Sequence, residues 1–101
     1  NTALIAIPKS DLVQFNIRTG DTEGLVNVIL SLEGIKVGVL IQEKSDGIKL
    51  SFRSKDGVFV NELAKQHFNG GGHKYAAGGI SFDSMEVTIS RILSLFETLT
   101  F

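Results

Sequence analysis

Cysteine and tryptophan are absent from this sequence of 101 residues, and proline, methionine and tyrosine occur once each. Without cysteine there can be no disulfide, no thiolate nucleophile and no cysteine-based zinc site. Such usage fits a cytoplasmic protein, which is the expected location. Long apolar runs are missing too. Nothing approaches the roughly 18 consecutive apolar residues of a membrane-spanning helix, no signal peptide is visible, and no membrane partner is expected. The chain does not begin with methionine, as expected of a piece of a longer protein. A strong charge of either sign is also lacking. The net charge of −1 argues against a generally basic nucleic-acid binder. What remains, 43% hydrophobic and 21% charged residues, describes one ordinary globular domain over residues 1–101.

The chemistry of bond cleavage is sparse. A hydrolytic metal site needs several carboxylates or imidazoles brought together. Here there are two histidines, and His67 falls on an apolar helical stripe, where a partly buried structural role is expected. The acidic residues are scattered, and the close pair Asp21 and Glu23 reads as the start of a helix. Neither a Gly-x-Ser-x-Gly elbow nor a Walker-type lysine loop is present. The sequence has parts to hold a phosphate and no evident parts to break its bond.

The holding parts centre on residues 69 to 79, Asn-Gly-Gly-Gly-His-Lys-Tyr-Ala-Ala-Gly-Gly. Gly70, Gly71 and Gly72 form a turn, and residues 73 to 77 are expected to begin a helix after it. A glycine turn leading into a helix N-terminus directs free N–H groups at an anion, and His73 and Lys74 add positive charge. Tyr75 reads as a packing or rim residue. Residues 49–74 carry five cations, Lys49, Arg53, Lys55, Lys65 and Lys74, against Asp56 and Glu62. The rest of the chain holds five positive and nine negative residues. A local basic region on an acidic body suits a small phosphorylated ligand or a short strand. Within it, Arg53 offers a planar fork matched to phosphate oxygens, and Ser54 and Lys55 follow at a strand end.

The remaining pattern predicts β-α-α-β-β-α-α-β-α, an α/β domain with a small mixed β-sheet flanked by helices. Strands are expected over 3–7, 35–42, 48–54 and 80–82. Alternation in the third puts Ile48, Leu50 and Phe52 on one face and Lys49, Ser51 and Arg53 on the other. Helices are expected after Ser10 or Asp11, over 22–32 with Asp21 as cap and Gly34 beyond the end, and over 61–68. A last helix opens with Asp83 and Glu86 as a capping box and buries Met85, Ile89, Ile92, Leu93, Phe96 and Leu99.

These residues resemble a known family. Gly70-Gly71-Gly72-His73 with Ala76-Ala77-Gly78 looks like the signature of the DHH-associated domain, the C-terminal module of DHH-type phosphoesterases. The stretch from Ile48 to Lys55 and Val60-Asn61 is similar to the elements before that signature. Residues 19–27, Thr-Gly-Asp-Thr-Glu-Gly-Leu-Val-Asn, look like the branch of nano-RNases and phosphoadenosine-phosphate phosphatases. The resemblance covers nearly all of the chain. It implies the substrate-binding half of a two-lobed, exopolyphosphatase-related hydrolase acting on short RNA or DNA oligonucleotides or nucleoside 3',5'-bisphosphates, with nuclease or phosphatase activity. The N-terminal DHH lobe would bind two manganese ions; no cofactor, metal ligand or catalytic residue is implied in this chain, and the chain alone is expected not to hydrolyse substrate. Arg53, the three glycines and His73 match the family's substrate-binding positions, and Thr22 and Glu23 its characteristic block. A homodimer of the parent protein is compatible with the family. The same module occurs beside RecJ-type exonuclease and alanyl-tRNA synthetase domains. An RNA- or single-stranded-DNA-binding appendage, or a non-catalytic assembly module, therefore stays open.

Overall fold

The computed structural model describes residues 2–10, 24–25, 27–28, 30–32 and 34–98. Five strands form one mixed sheet: β1 (Thr2–Ile7), β2 (Val37–Lys44), β3 (Gly47–Ser54), β4 (Gly71–His73) and β5 (Ala76–Ser81). Their spatial order is β1-β2-β3-β5-β4. β1 lies parallel to β2, and the other pairs are antiparallel. Two helices, α1 (Asn61–His67) and α2 (Met85–Thr98), complete the mixed α/β architecture. Residues 24–25, 27–28 and 30–31 are helical, and Gly34 follows with a positive φ of 82°. Leu25, Val28 and Leu32 are nonetheless exposed. The expected helix after Ser10, the cap at Asp21, and Leu99 lie outside the described residues, although residues 9 and 10 are themselves helical.

The two sheet faces have different fates. On the first, Val37, Val39 and Ile41 of β2 meet Ile48, Leu50 and Phe52 of β3, and all six are buried. Val60, Ala64 and Phe68 from α1 and its flanks, with Ile92 from α2, close over them. Phe68 is the keystone: its ring lies 5.5 Å from that of Phe52, and its carbonyl accepts the Ile80 N–H at 2.8 Å. Arg91 seals the outside of this contact. Its guanidinium donates to Asp83 at 2.9 Å and to the His67 carbonyl at 2.7 Å, and lies 5.1 Å from the Phe68 ring centroid. On the second face Leu40 and Gln42 are buried, whereas Lys49, Ser51 and Arg53 remain half-buried. That face is open beyond β2.

Four expectations require correction. No helix follows the glycines; residues 74–75 are a two-residue turn between β4 and β5. A helix over residues 73–77 would run at once into Gly78 and Gly79, and each glycine costs about 1 kcal/mol in a helix interior. Pairing with β3 offers the same backbone a full ladder instead, from Arg53↔Ala76 to Ile48↔Ser81. His67 is exposed rather than partly buried. The stripe that α1 buries runs through Val60, Ala64 and Phe68 at a spacing of four, and the His67 ring projects beside it. The cap of α2 is Ser84, whose Oγ accepts the Val87 N–H at 3.2 Å, while Asp83 is taken by Arg91. Finally Leu93 is half-exposed. The face of α2 against the core is Met85, Thr88, Ile89, Ile92, Leu95 and Phe96, one helical step away from Leu93.

Thr88 interrupts that apolar stripe for an evident reason. Its hydroxyl pairs with that of Ser81 at 2.7 Å, both fully inside. Removing one partner leaves a buried hydroxyl unsatisfied, so Ser81→Ala or Thr88→Ala is expected to cost about 1–3 kcal/mol. The double replacement should cost less than the sum of the two, as read in a urea-denaturation double-mutant cycle.

Candidate functional site

The open sheet face is shaped by what β5 lacks. Its residues on this side are Ala76, Gly78 and Ile80, paired respectively with Arg53, Ser51 and Lys49 of β3. On the other flank Gly71 and His73 of β4 pair with Gly78 and Ala76. Opposed residues in a ladder share a face, so Arg53, Ala76 and His73 form one row and Ser51, Gly78 and Gly71 the next. Strands about 4.8 Å apart place the Arg53 and His73 backbones about 10 Å from each other with only a methyl group between them. The outcome is a shallow hollow of about 350 Å³ whose lining includes Lys49, Ser51, Arg53 and His73 and no carboxylate.

The glycines divide by role. A side chain at Gly70 would collide with the Gly78 carbonyl, and one at Gly72 would stand 2.7 Å from the Ala76 carbonyl oxygen. Gly72 also holds a φ of 143°, accessible to glycine and strained for other residues. These two let β4 lie close on β5. Gly71 has no such need: nothing stands within 4 Å of where its Cβ would be, and its φ is not positive. Its pairing with Gly78 puts it on the same sheet face as His73, beside the residues that line the hollow, and the missing side chain leaves its backbone accessible.

Arg53 donates one bond from Nη1 to the Phe52 carbonyl at 2.9 Å. That contact holds the side chain and leaves most of its five donors unused. No carboxylate lies within ion-pair reach of Arg53, Lys49 or His73 among the described residues. Converging cations that no acid neutralises attract an anion.

Of the expected residues the structure brings Arg53 and His73 to the hollow; Gly71 shares their sheet face, and Gly70 and Gly72 act through the close β4–β5 pairing. Ser54 and Lys55 are elsewhere. Alternation turns Ser54 to the core face, where it is 5% exposed and its hydroxyl has no partner among the described residues. Lys55 directs its ammonium to the Leu30 carbonyl. Thr22 and Glu23 lie outside the described residues. The candidate site is thus the face of a hairpin and not a helix N-terminus. Lys49, Ser51 and Ala76 join it. The period-2 pattern that singles out Arg53 also carries Lys49 and Ser51, whereas Ala76 needs the hairpin register. Two larger hollows, of about 690 and 430 Å³, sit against α1 and α2. The cation of the larger, Arg91, is already engaged by Asp83 and a backbone carbonyl. No cluster of three metal-binding side chains occurs among the described residues.

The DHHA1 domain family model matches residues 4–98. The chain belongs to the DHHA1 domain family. This DHHA1 domain is 36% identical over 97 residues to the bifunctional oligoribonuclease and PAP phosphatase NrnA of Bacillus subtilis, and 33% identical over 85 residues to the probable NrnA of Streptococcus mutans. Those matches take in 96% and 83% of the chain, but the chain spans only 30% and 27% of these relatives. The crystal structure of an exopolyphosphatase-related protein from Bacteroides fragilis superposes with a TM-score of 0.87 at 34% identity, over 94% of this chain and 28% of that one. The C-Ala domain of Aquifex aeolicus alanyl-tRNA synthetase shares the fold alone, with a TM-score of 0.63 at 15% identity over 90% of this chain and 86% of that one. No helix among the described residues is long and apolar enough to cross a membrane.

The glycines of the DHHA1 hairpin should separate experimentally. Gly70→Ala is expected to lose the β4–β5 pairing, seen as collapse of the corresponding amide dispersion by NMR. Gly71→Ala should leave the spectrum dispersed and the melting temperature within a few degrees, since its Cβ meets open space.

Proposed function

We propose that this domain is the substrate-holding half of a DHH phosphoesterase, binding the phosphate of a short oligonucleotide or a nucleoside 3',5'-bisphosphate. The observation that carries the reading is the row Arg53–Ala76–His73: two nitrogen-bearing side chains on one sheet face with only a methyl group between them and no carboxylate to compete. The NrnA relatives, whose names specify oligoribonuclease and PAP phosphatase activity, support the class of ligand.

In this reading the guanidinium of Arg53 takes two phosphate oxygens with its planar fork. His73 donates from the opposite side, Lys49 adds a point charge lower in the hollow, and Gly71 lets the ligand lie against the backbone. Ser54 and Lys55 take no part. The chain's contribution is position: it fixes the phosphoryl group where a second lobe can act on it, and held geometry is a large share of rate enhancement in such reactions. Manganese, if the parent enzyme uses it, belongs to a separate DHH lobe. The described residues of this chain do not gather a ligand set for it, and no step assigned to them depends on it. In that setting the domain is cytoplasmic, and its protein partner is the DHH lobe.

Two charge-assisted bonds set the expected effects. Arg53→Ala and His73→Ala should each weaken binding of a nucleoside 3',5'-bisphosphate roughly tenfold or more, as bonds to charged groups imply. Lys55→Ala should leave it within about twofold, because its ammonium points to Leu30. Calorimetric titration measures all three, and unchanged affinity in both of the first two variants would sink the reading. The unmodified chain is expected to bind this ligand without hydrolysing it.

A further inference from the structure

An exposed aromatic pair stands at the turn between β4 and β5, one ring from the turn and one from the segment before α1. Phe59, 51% exposed, and Tyr75, 43% exposed, meet edge to face with ring centroids 5.5 Å apart. The Lys74 ammonium stands 5.2 Å from the Phe59 centroid. Aromatic rings left at the surface of a small domain mark contact with something else more often than isolated aliphatic residues do. In an edge-to-face pair each ring keeps at least one face clear of the other.

This pair is held in place by the backbone around it. The Lys74 carbonyl accepts the Val60 N–H at 2.7 Å, and the Tyr75 carbonyl accepts the Ser54 N–H at 3.0 Å. Both turn residues are thereby tied to the segments that carry Phe59 and Arg53. Tyr75 is also close to the anion site by covalent geometry. It lies two residues after His73 and directly before Ala76, and two residues of chain reach at most about 7 Å. Neither ring lines the hollow itself; a nucleotide whose phosphate rests between His73 and Arg53 would carry its base over the turn to meet Tyr75.

We propose that Tyr75, backed by Phe59 and Lys74, is the platform on which a nucleobase of the bound ligand stacks. The proposal rests on the phosphate-holding reading above and adds the feature that distinguishes a nucleotide from any other phosphate ester. A rigid, two-torsion aromatic loses little freedom on binding, and every base offers a π-face, so the platform accepts all four bases and favours the larger purines. Lys74 stays beside the stack, where its charge offsets that of the sugar-phosphate.

The composition supplies the test. Tyr75 is the single tyrosine of a chain without tryptophan, so tyrosine emission reports this ring alone. The protein is titrated with adenosine 3',5'-bisphosphate and with ribose 1,5-bisphosphate, which has two phosphates and no base, by fluorescence and calorimetry in parallel. Emission should be quenched by the adenosine ligand with the calorimetric midpoint and stay unchanged with the base-free ligand. Tyr75→Ala should weaken the adenosine ligand roughly tenfold, in line with about 1–3 kcal/mol per stacked base. It should leave the base-free ligand unaffected, and Tyr75→Phe should restore affinity. Heat of binding without any change in emission overturns the platform and leaves the phosphate site standing. Absence of heat with either ligand overturns both.

Discussion

β5 lies between the strand that carries Arg53 and the strand that carries His73, and it brings almost no side-chain volume to the face they share. Its register with β3 sets Arg53 opposite Ala76, and its register with β4 sets His73 opposite the same residue. Slipping either pairing by one residue would turn the cations to the helix-covered face, since side chains alternate with a period of two. The close approach of β4 to β5 rests on Gly70 and Gly72, whose absent side chains would strike Gly78 and Ala76. β5 is in turn held by Phe68, which packs on Phe52 and accepts the Ile80 N–H. The core and the site are thus two sides of the same three strands.

The two faces differ in cover and in charge. The first is filled with branched and aromatic residues under α1 and α2, and the buried hydroxyls of Ser81 and Thr88 satisfy each other there. The second is left open past β2 and offers Lys49, Ser51, Arg53 and His73 to solvent. Ser54 shows how sharply the pleat separates them. One residue from Arg53, it is buried on the other side. Such a division explains how a domain with a net charge of −1 presents a locally cationic surface: the hollow gathers cations, and no carboxylate lines it.

Much of this was legible before any coordinates. The alternation in β3 showed which side Arg53 takes, and the 3.6-residue spacing found both helices. The glycine-histidine stretch was recognisable as part of a DHHA1 domain. Its conformation was not. Local pattern offered a turn into a helix, and the competing partner, an unpaired edge of β3 some 25 residues upstream, is invisible to any local window. The same limit explains Lys55, whose ammonium turns to Leu30, and Ala76, which says nothing about a site until its register is known. His67 and Leu93 failed for a smaller reason. Each sits one helical step from the residues that are buried, and a stripe drawn from apolar spacing is no narrower than that step.

The central claim is that the ligand lies on the open sheet face and not in the roomier grooves beside α1 and α2. Amide chemical-shift mapping of the isotopically labelled protein during titration with a nucleoside 3',5'-bisphosphate tests it most directly. The account predicts that the shifts cluster at Ser51, Arg53, Gly71, His73, Ala76 and Gly78. Clustering at Gln66, His67, Ser90 and Ser94, with the hairpin amides unmoved, would contradict it.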